Sequence, residues 1–172
     1  VDRIQDMAIR DELTGLYNRR HAMERLGKIR EMANRDAFDF YCLYVDLDFF
    51  KRVNDQYGHH VGDEVLRIFS ETTRGLLTQR DFAARLGGEE FLVVLVKTSA
   101  EEALAFSERL RQAIEDAKYP SAPDLQMTAS IGLARFRKGE ILDGLLARAD
   151  EALYRAKNGG RNRVSAAAEI EA

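Results

Sequence analysis

Cysteine occurs once, at Cys42, and proline only twice, at Pro120 and Pro123. One thiol builds no disulfide framework, and its place inside an apolar run predicts a buried side chain in a reducing compartment. Histidine occurs three times, and neither His59 nor His60 has a third His or Cys spaced to complete a zinc site, so both read as surface residues. No apolar stretch approaches the roughly 20 residues that cross a bilayer. The opening VDRIQDMAIRDELTG has no apolar h-region of a signal peptide. Charge of one sign is also missing: 26 basic against 29 acidic residues leave a net −3. That balance speaks against a nucleic-acid binder working by bulk electrostatics. No G-x-x-x-x-G-K-[ST] loop is present, which excludes a P-loop protein. The chain begins with Val, so it is expected to be a piece of a longer protein, itself cytoplasmic, with membrane anchoring of the parent left open.

What is present is the material of one soluble globular domain: 172 residues, 45% hydrophobic and 32% charged. Residues 1–10 read as the end of a helical linker, 11–166 as the domain, and 167–172 as an Ala/Glu tail. Helical periodicity predicts helices over 18–34, 61–77, 99–117 and 141–157, with a short helical turn over FKRVNDQYG. The last helix is expected to end on Gly159-Gly160. Strands are expected over 38–48, 126–136 and 162–166, the first of them covered on both faces. A hairpin of 81–86 and 90–97 is expected around a Gly87-Gly88 turn. Strands and helices interleave around this hairpin. The fold class is therefore α+β, a βαββαβ core of ferredoxin-like type.

Four segments carry groups with chemical use. In DLDFFKRVND, Asp46 and Asp48 end an apolar strand and share a face. A carboxylate there is costly unless paired. Lys51 is one partner. Glu89 of the neighbouring hairpin supplies another reading: clustered carboxylates call for a hard divalent cation, and Mg²⁺ suits a few carboxylates plus phosphate oxygens. Spacing alone leaves both open. In GHHVGDEVL, Asp63 sits early in a helix, where an acid fits the dipole. Paired with Asn54, it also matches the donors and acceptor of guanine better than those of adenine. In AKNGGRNRV, Lys157 faces the negative end of a helix, and with Arg161 it could hold a polyphosphate. In DELTGLYNRR, Thr14-Gly15 reads as a turn, Asn18 as a helix cap, and Leu13 and Leu16 as core.

Taken in order, DELTGLYNRR, DLDFFKRVNDQYGHHVGDEVL, RLGGEEF, TASIGLA and ADEALYRAKNGGRNRV resemble the GGDEF domain of diguanylate cyclases, in its GGEEF form. The resemblance covers nearly the whole chain. It implies a palm-type fold like that of nucleotide cyclases, and condensation of two GTP into cyclic di-GMP with release of two pyrophosphates. It implies a homodimer with one GTP per subunit, an upstream sensor or regulatory domain, and no nucleic-acid partner. Two Mg²⁺ (or Mn²⁺) per active site would be held by Asp46, Glu89 and the carbonyl of Leu47. Asn54 and Asp63 would read guanine, and Leu13 and Phe49 would wall the base. Lys51, Lys157 and Arg161 would hold phosphates, helped by backbone N–H groups at Phe49 and Phe50. Gly88 would let the hairpin backbone approach the nucleotide. Glu90 would position phosphate or assist deprotonation.

The chain departs from the family's Arg-x-x-Asp product-inhibition site. Here the register reads Thr78-Gln79-Arg80-Asp81, with Thr78 in place of the first Arg. Tight product feedback is expected to be absent. Other readings are a catalytically silent nucleotide-binding module and a cyclase of mixed dinucleotides. The intact signature argues against the first, and Asp63 against the second.

Overall fold

The computed structural model describes residue 4 and residues 8–171. The expected linker end over 1–10 thus lies mostly outside the described residues. Helix α1 (Arg19–Asp36) leads into β1 (Phe40–Leu47), followed by α2 (Phe50–Tyr57) and α3 (His59–Leu76). The hairpin β2 (Phe82–Gly87) and β3 (Glu90–Val96) comes next, then α4 (Ala100–Asp116), β4 (Ala129–Arg135) and α5 (Leu142–Asn158). A short β5 (Arg163–Ala166) and a one-turn α6 (Ala168–Glu171) finish the chain, with Ile170 packed into the core.

The five strands form one sheet in the order β2-β3-β1-β4-β5. All neighbours are antiparallel except β4 and β5. Omitting β5, the order is that of a βαββαβ unit whose central strand is β1. Apolar residues then partition by strand alternation. Leu43, Val45, Phe91, Val93 and Ile131 pack against Val65 and Phe69 of α3 and Leu110 of α4. Phe40, Cys42, Leu92 and Val94 pack against Ala22 and Leu26 of α1 and Leu145 and Ala149 of α5. Cys42 is buried, and that burial pushes its thiol far above the usual range.

Local signals account for the helix boundaries. The Asn18 side chain accepts from His21 N at 2.9 Å, and Ser99 accepts from Glu102 N at 3.1 Å, each satisfying an orphan donor of a first turn. One glycine is demanded by packing: a Cβ on Gly132 would lie 2.2 Å from Leu153 N and 2.3 Å from Ala149 O. β4 therefore sits directly against the α5 backbone, which fixes the height at which α5 ends beside β1.

One expectation needs correction. The hairpin turn is one residue later than Gly87-Gly88: Gly87 still pairs with Glu90, so Gly88-Glu89 is the loop. A register shift between Arg85 and Gly87 absorbs the extra residue and carries Glu89 to the tip. α5 ends at Asn158 with Gly159 as its C-cap, as expected, and the left-handed steps follow at Gly160, φ 124°, Arg161 and Asn162.

Candidate active site

The functional side chains gather where β1 ends beside the hairpin. Asp46 is the register partner of Glu90 across the β1–β3 pair, and Leu47 N donates to Glu89 O at 3.2 Å. This places three carboxylates at one edge. Asp46 is 6% exposed. Its partner is Lys157 Nζ from the last turn of α5, not Lys51. Lys51 is exposed on α2. Burial holds the Asp46 carboxyl above the usual carboxylate range; Lys157 opposes that shift, and Glu89 and Glu90 add to it.

Asp48 does not join this cluster. Its carboxylate accepts from Thr128 Oγ1 at 2.7 Å, Ser130 Oγ at 2.7 Å and Asn162 N at 3.0 Å. Asn162 is also held by Arg111, which donates to its Oδ1 at 2.8 Å, while its Nδ2 donates to Glu115 at 3.0 Å. Asp48 is thus a buried latch that ties the β1–α2 loop to β4 and to the loop after α5.

A cleft of about 420 Å³ opens beside the hairpin tip, lined by Lys51, Asn54, Asp63, Gly88 and Glu89, with Phe50 and His59. Six of the residues expected from the sequence, Phe50 among them, thus converge on one volume. Gly88 has φ 51°, a conformation that disfavours other residues, and a Cβ there would meet nothing within 4 Å. Its glycine therefore answers to backbone conformation, and it leaves the side of the cleft open.

Other expected residues lie elsewhere. Phe49 is 48% exposed, with φ 56°. Its ring stacks under the guanidinium groups of Arg52 at 4.2 Å and Arg161 at 4.6 Å, rather than lining the cleft. Leu13 packs half-buried against the larger core cluster. Glu90, exposed, lines a second cleft of about 430 Å³ with Arg19, Tyr44 and Asp150. Asp81 accepts from Thr78 N and Oγ1 at 3.0 and 2.8 Å and from Val96 N at 3.0 Å, so one oxygen serves the local turn and the other the end of β3.

Sequence reasoning missed Arg85, Arg52 and His59. Arg85 donates to Gly88 O at 3.0 Å and pairs with Asp11 at 3.3 Å, pinning the hairpin tip to the loop before α1. A charged residue alternating along a strand gives no sign of this, because Asp11 is remote in sequence.

Among the described residues, no group of three or more His, Cys, Asp or Glu side chains forms a cage for a metal. Mg²⁺ does not need one, since it binds through one or two carboxylates and substrate phosphates. Buried Asp46, with Glu89 and Glu90 beside it and Lys157 as its one ion-pair partner, leaves a local excess of negative charge at the end of β1. That donor set fits a hard divalent cation arriving with a polyphosphate.

A family profile described as "Diguanylate cyclase, GGDEF domain" matches residues 8–163. The chain belongs to the GGDEF family. It is 44% identical over 161 residues, 93% of its length, to the diguanylate cyclase DgcP of Pseudomonas aeruginosa. To the response regulator PleD of Caulobacter vibrioides it is 38% identical over 168 residues, 95% of its length. It spans only 24% and 37% of those two proteins. Among solved structures, the coiled coil and GGDEF domain of DgcB from Caulobacter crescentus, in complex with c-di-GMP, superposes with a TM-score of 0.91. That pair shares 32% identity, with 95% of this chain and 88% of that one covered. The α+β, palm-like cyclase fold expected from the sequence is the fold these GGDEF structures share. No helix among the described residues is long and apolar enough to cross a membrane.

Proposed function

We propose that this GGDEF domain condenses two GTP into cyclic di-GMP, as a pair of facing copies with one nucleotide in each. The observation that carries this reading is the meeting of two features. An acidic edge, Asp46 with Glu89, adjoins a cleft that Asn54, Asp63 and Lys51 line. In each half-reaction the 3′-hydroxyl of one GTP gives its proton to Glu90 or to water, and its oxygen bonds to the α-phosphorus of the other. The bond from that phosphorus to the β-phosphate bridging oxygen breaks, and pyrophosphate leaves.

The residues divide the work by chemistry. Asp63 accepts from the two adjacent guanine donors, and Asn54 gives and accepts beside it. Adenine offers an acceptor where guanine has N1–H, so it leaves the Asp63 carboxylate facing a lone pair. Lys51, Lys157 and Arg161 balance the triphosphate charge, Arg as a fork and Lys as a point charge. Phe49 acts as the platform that keeps Arg161 extended toward the phosphates, a different task from walling the base. Asp46, Glu89 and the Leu47 carbonyl would hold two Mg²⁺ or Mn²⁺ ions. Such ions polarise phosphate, lower the pKa of an attacking hydroxyl and offset charge on the leaving pyrophosphate. Lys157 holds the buried Asp46 charge before the nucleotide arrives, and would be released toward a phosphate if Asp46 served a cation. Because the longer relatives extend well beyond this domain, we infer a sensory or regulatory part elsewhere in the parent protein.

Incubation with GTP and Mg²⁺ at high protein concentration, followed by chromatography and mass identification of the product, tests the reading. Cyclic di-GMP is expected from the parent chain and none from Glu89→Gln. A folded Glu89→Gln variant with unchanged turnover would contradict it.

A further inference from the structure

Helix α3 contains two glycines, Gly62 in its second turn and Gly75 next to its last residue, and inside a helix glycine costs about 1 kcal/mol relative to alanine. Neither adopts a left-handed conformation that would require glycine. Their surroundings differ. A Cβ on Gly75 would meet nothing within 4 Å. A Cβ on Gly62 would lie 2.0 Å from Asn54 Oδ1 and 3.1 Å from Asn54 Cγ, with Phe50 Cζ at 3.3 Å. The amide of Asn54 therefore rests on the bare Cα of Gly62, and no other residue at 62 leaves it there.

The local chain makes this contact specific. α2 and α3 are joined through Gly58 alone, φ 90°, whose N–H donates to Asn54 O at 2.9 Å and whose carbonyl accepts from Gly62 N at 3.2 Å. The two helices thus fold back on each other at one residue. Gly62 immediately precedes Asp63, and Asn54 and Asp63 line the same cleft. The position that allows the close approach is the one next to the second base-reading group.

We propose that Gly62 is a specificity-determining positioning residue. By lacking a side chain, it seats the Asn54 amide beside Asp63 in the orientation that recognises guanine. The inference rests on the assignment of Asn54 and Asp63 to guanine made above. A methyl group at 62 collides with the movable end of a side chain and only tightly with Phe50, so the fold survives while the Asn54 amide is turned away. The effect is one of binding, and it is carried by Asn54 alone.

The test is a double-mutant cycle of Gly62→Ala and Asn54→Ala, with Gly75→Ala as a control in the same helix. KM and kcat for GTP, the GTP-to-ATP selectivity, and melting curves are measured for each. Gly75→Ala is expected to keep the parent kinetics. Gly62→Ala is expected to raise KM for GTP roughly tenfold, the weight of a lost hydrogen bond, and to lower selectivity, with kcat little changed. Adding Gly62→Ala to Asn54→Ala should change neither further. If Asn54→Ala alone leaves KM and selectivity intact, the guanine assignment falls and this inference with it. If Asn54→Ala has the effect and Gly62→Ala does not, or if the two add fully, the guanine assignment stands and the role of Gly62 is overturned.

Discussion

Replacing Asp48 by alanine removes one carboxylate from three donors at once. The donors are Thr128 Oγ1, Ser130 Oγ and Asn162 N, at 2.7, 2.7 and 3.0 Å. A hydrogen bond to a charged acceptor contributes about 1.5–3 kcal/mol, and a buried donor left without a partner costs about 1–3 kcal/mol. Ser130 is 0% exposed and finds no water, whereas Thr128 is only partly buried and regains some. The bond to Asn162 also restrains two residues outside ordinary backbone space, Arg161 at φ 62° and Asn162 at φ 47°. The sum is a loss of about 4 kcal/mol, a large part of the stability of an ordinary domain. For a chain of this length that lowers the melting temperature by about 10 °C. Asp46→Asn, two residues away, should behave oppositely. It relieves a buried carboxylate crowded by Glu89 and Glu90, and its partner Lys157 is 32% exposed and free to turn to water. Stability should change by less than about 1 kcal/mol, while activity disappears. Urea denaturation followed by circular dichroism, run in parallel with product formation, separates the two. An Asp48→Ala variant as stable as the parent, or an Asp46→Asn variant equally destabilised, would refute the division of roles.

Further outcomes are expected. Asp63→Ser should loosen base choice, measured as the ratio of GTP to ATP use; an unchanged ratio removes Asp63 from base recognition. Gly132→Ala should destabilise by about 1–3 kcal/mol or more, because its Cβ meets α5 backbone atoms that cannot turn aside; a parent-like melting curve would contradict the close β4–α5 contact. Titration with cyclic di-GMP should show no submicromolar site that Asp81→Ala abolishes, since both Asp81 oxygens serve Thr78 and Val96. His21 is held below the usual histidine range by burial, then by Arg25, with Glu24 opposing. The folded state therefore binds fewer protons than the unfolded one, and stability falls as pH drops below about 6.5. His21→Gln should flatten that fall in denaturation midpoints measured between about pH 7 and 5.

The layers of the fold were legible because β1 carries an unbroken aromatic and β-branched run and the helices keep a 3.6-residue apolar period. The convergence of Asn54, Asp63, Gly88 and Glu89 was legible from a family resemblance, and spacing alone left a cation site and an ion-pair cluster both open. What escaped depends on contacts distant in sequence. Lys51 stands near Asp46 in the chain, yet α2 points it toward the cleft, and the close β4–α5 packing brings Lys157 to Asp46 instead. Asp46 and Asp48 look alike as a pair; only Ser130, Thr128 and Asn162 reveal that the second is a latch. The turn slipped by one residue because a bulge beside Arg85 cannot be read from two adjacent glycines. Gly62 looked like any interior glycine until Asn54 was found resting on it.

The central claim is that Asp46 and Glu89 trap divalent ions against a triphosphate, and a crystal structure with Mg²⁺ and a non-hydrolysable GTP analogue tests it most directly. The account predicts carboxylate oxygens of both residues about 2.1 Å from metal, guanine between Asn54 and Asp63, and Lys157 moved from Asp46 to a phosphate. A bound nucleotide with Lys157 still on Asp46 and no ion between the carboxylates would contradict it.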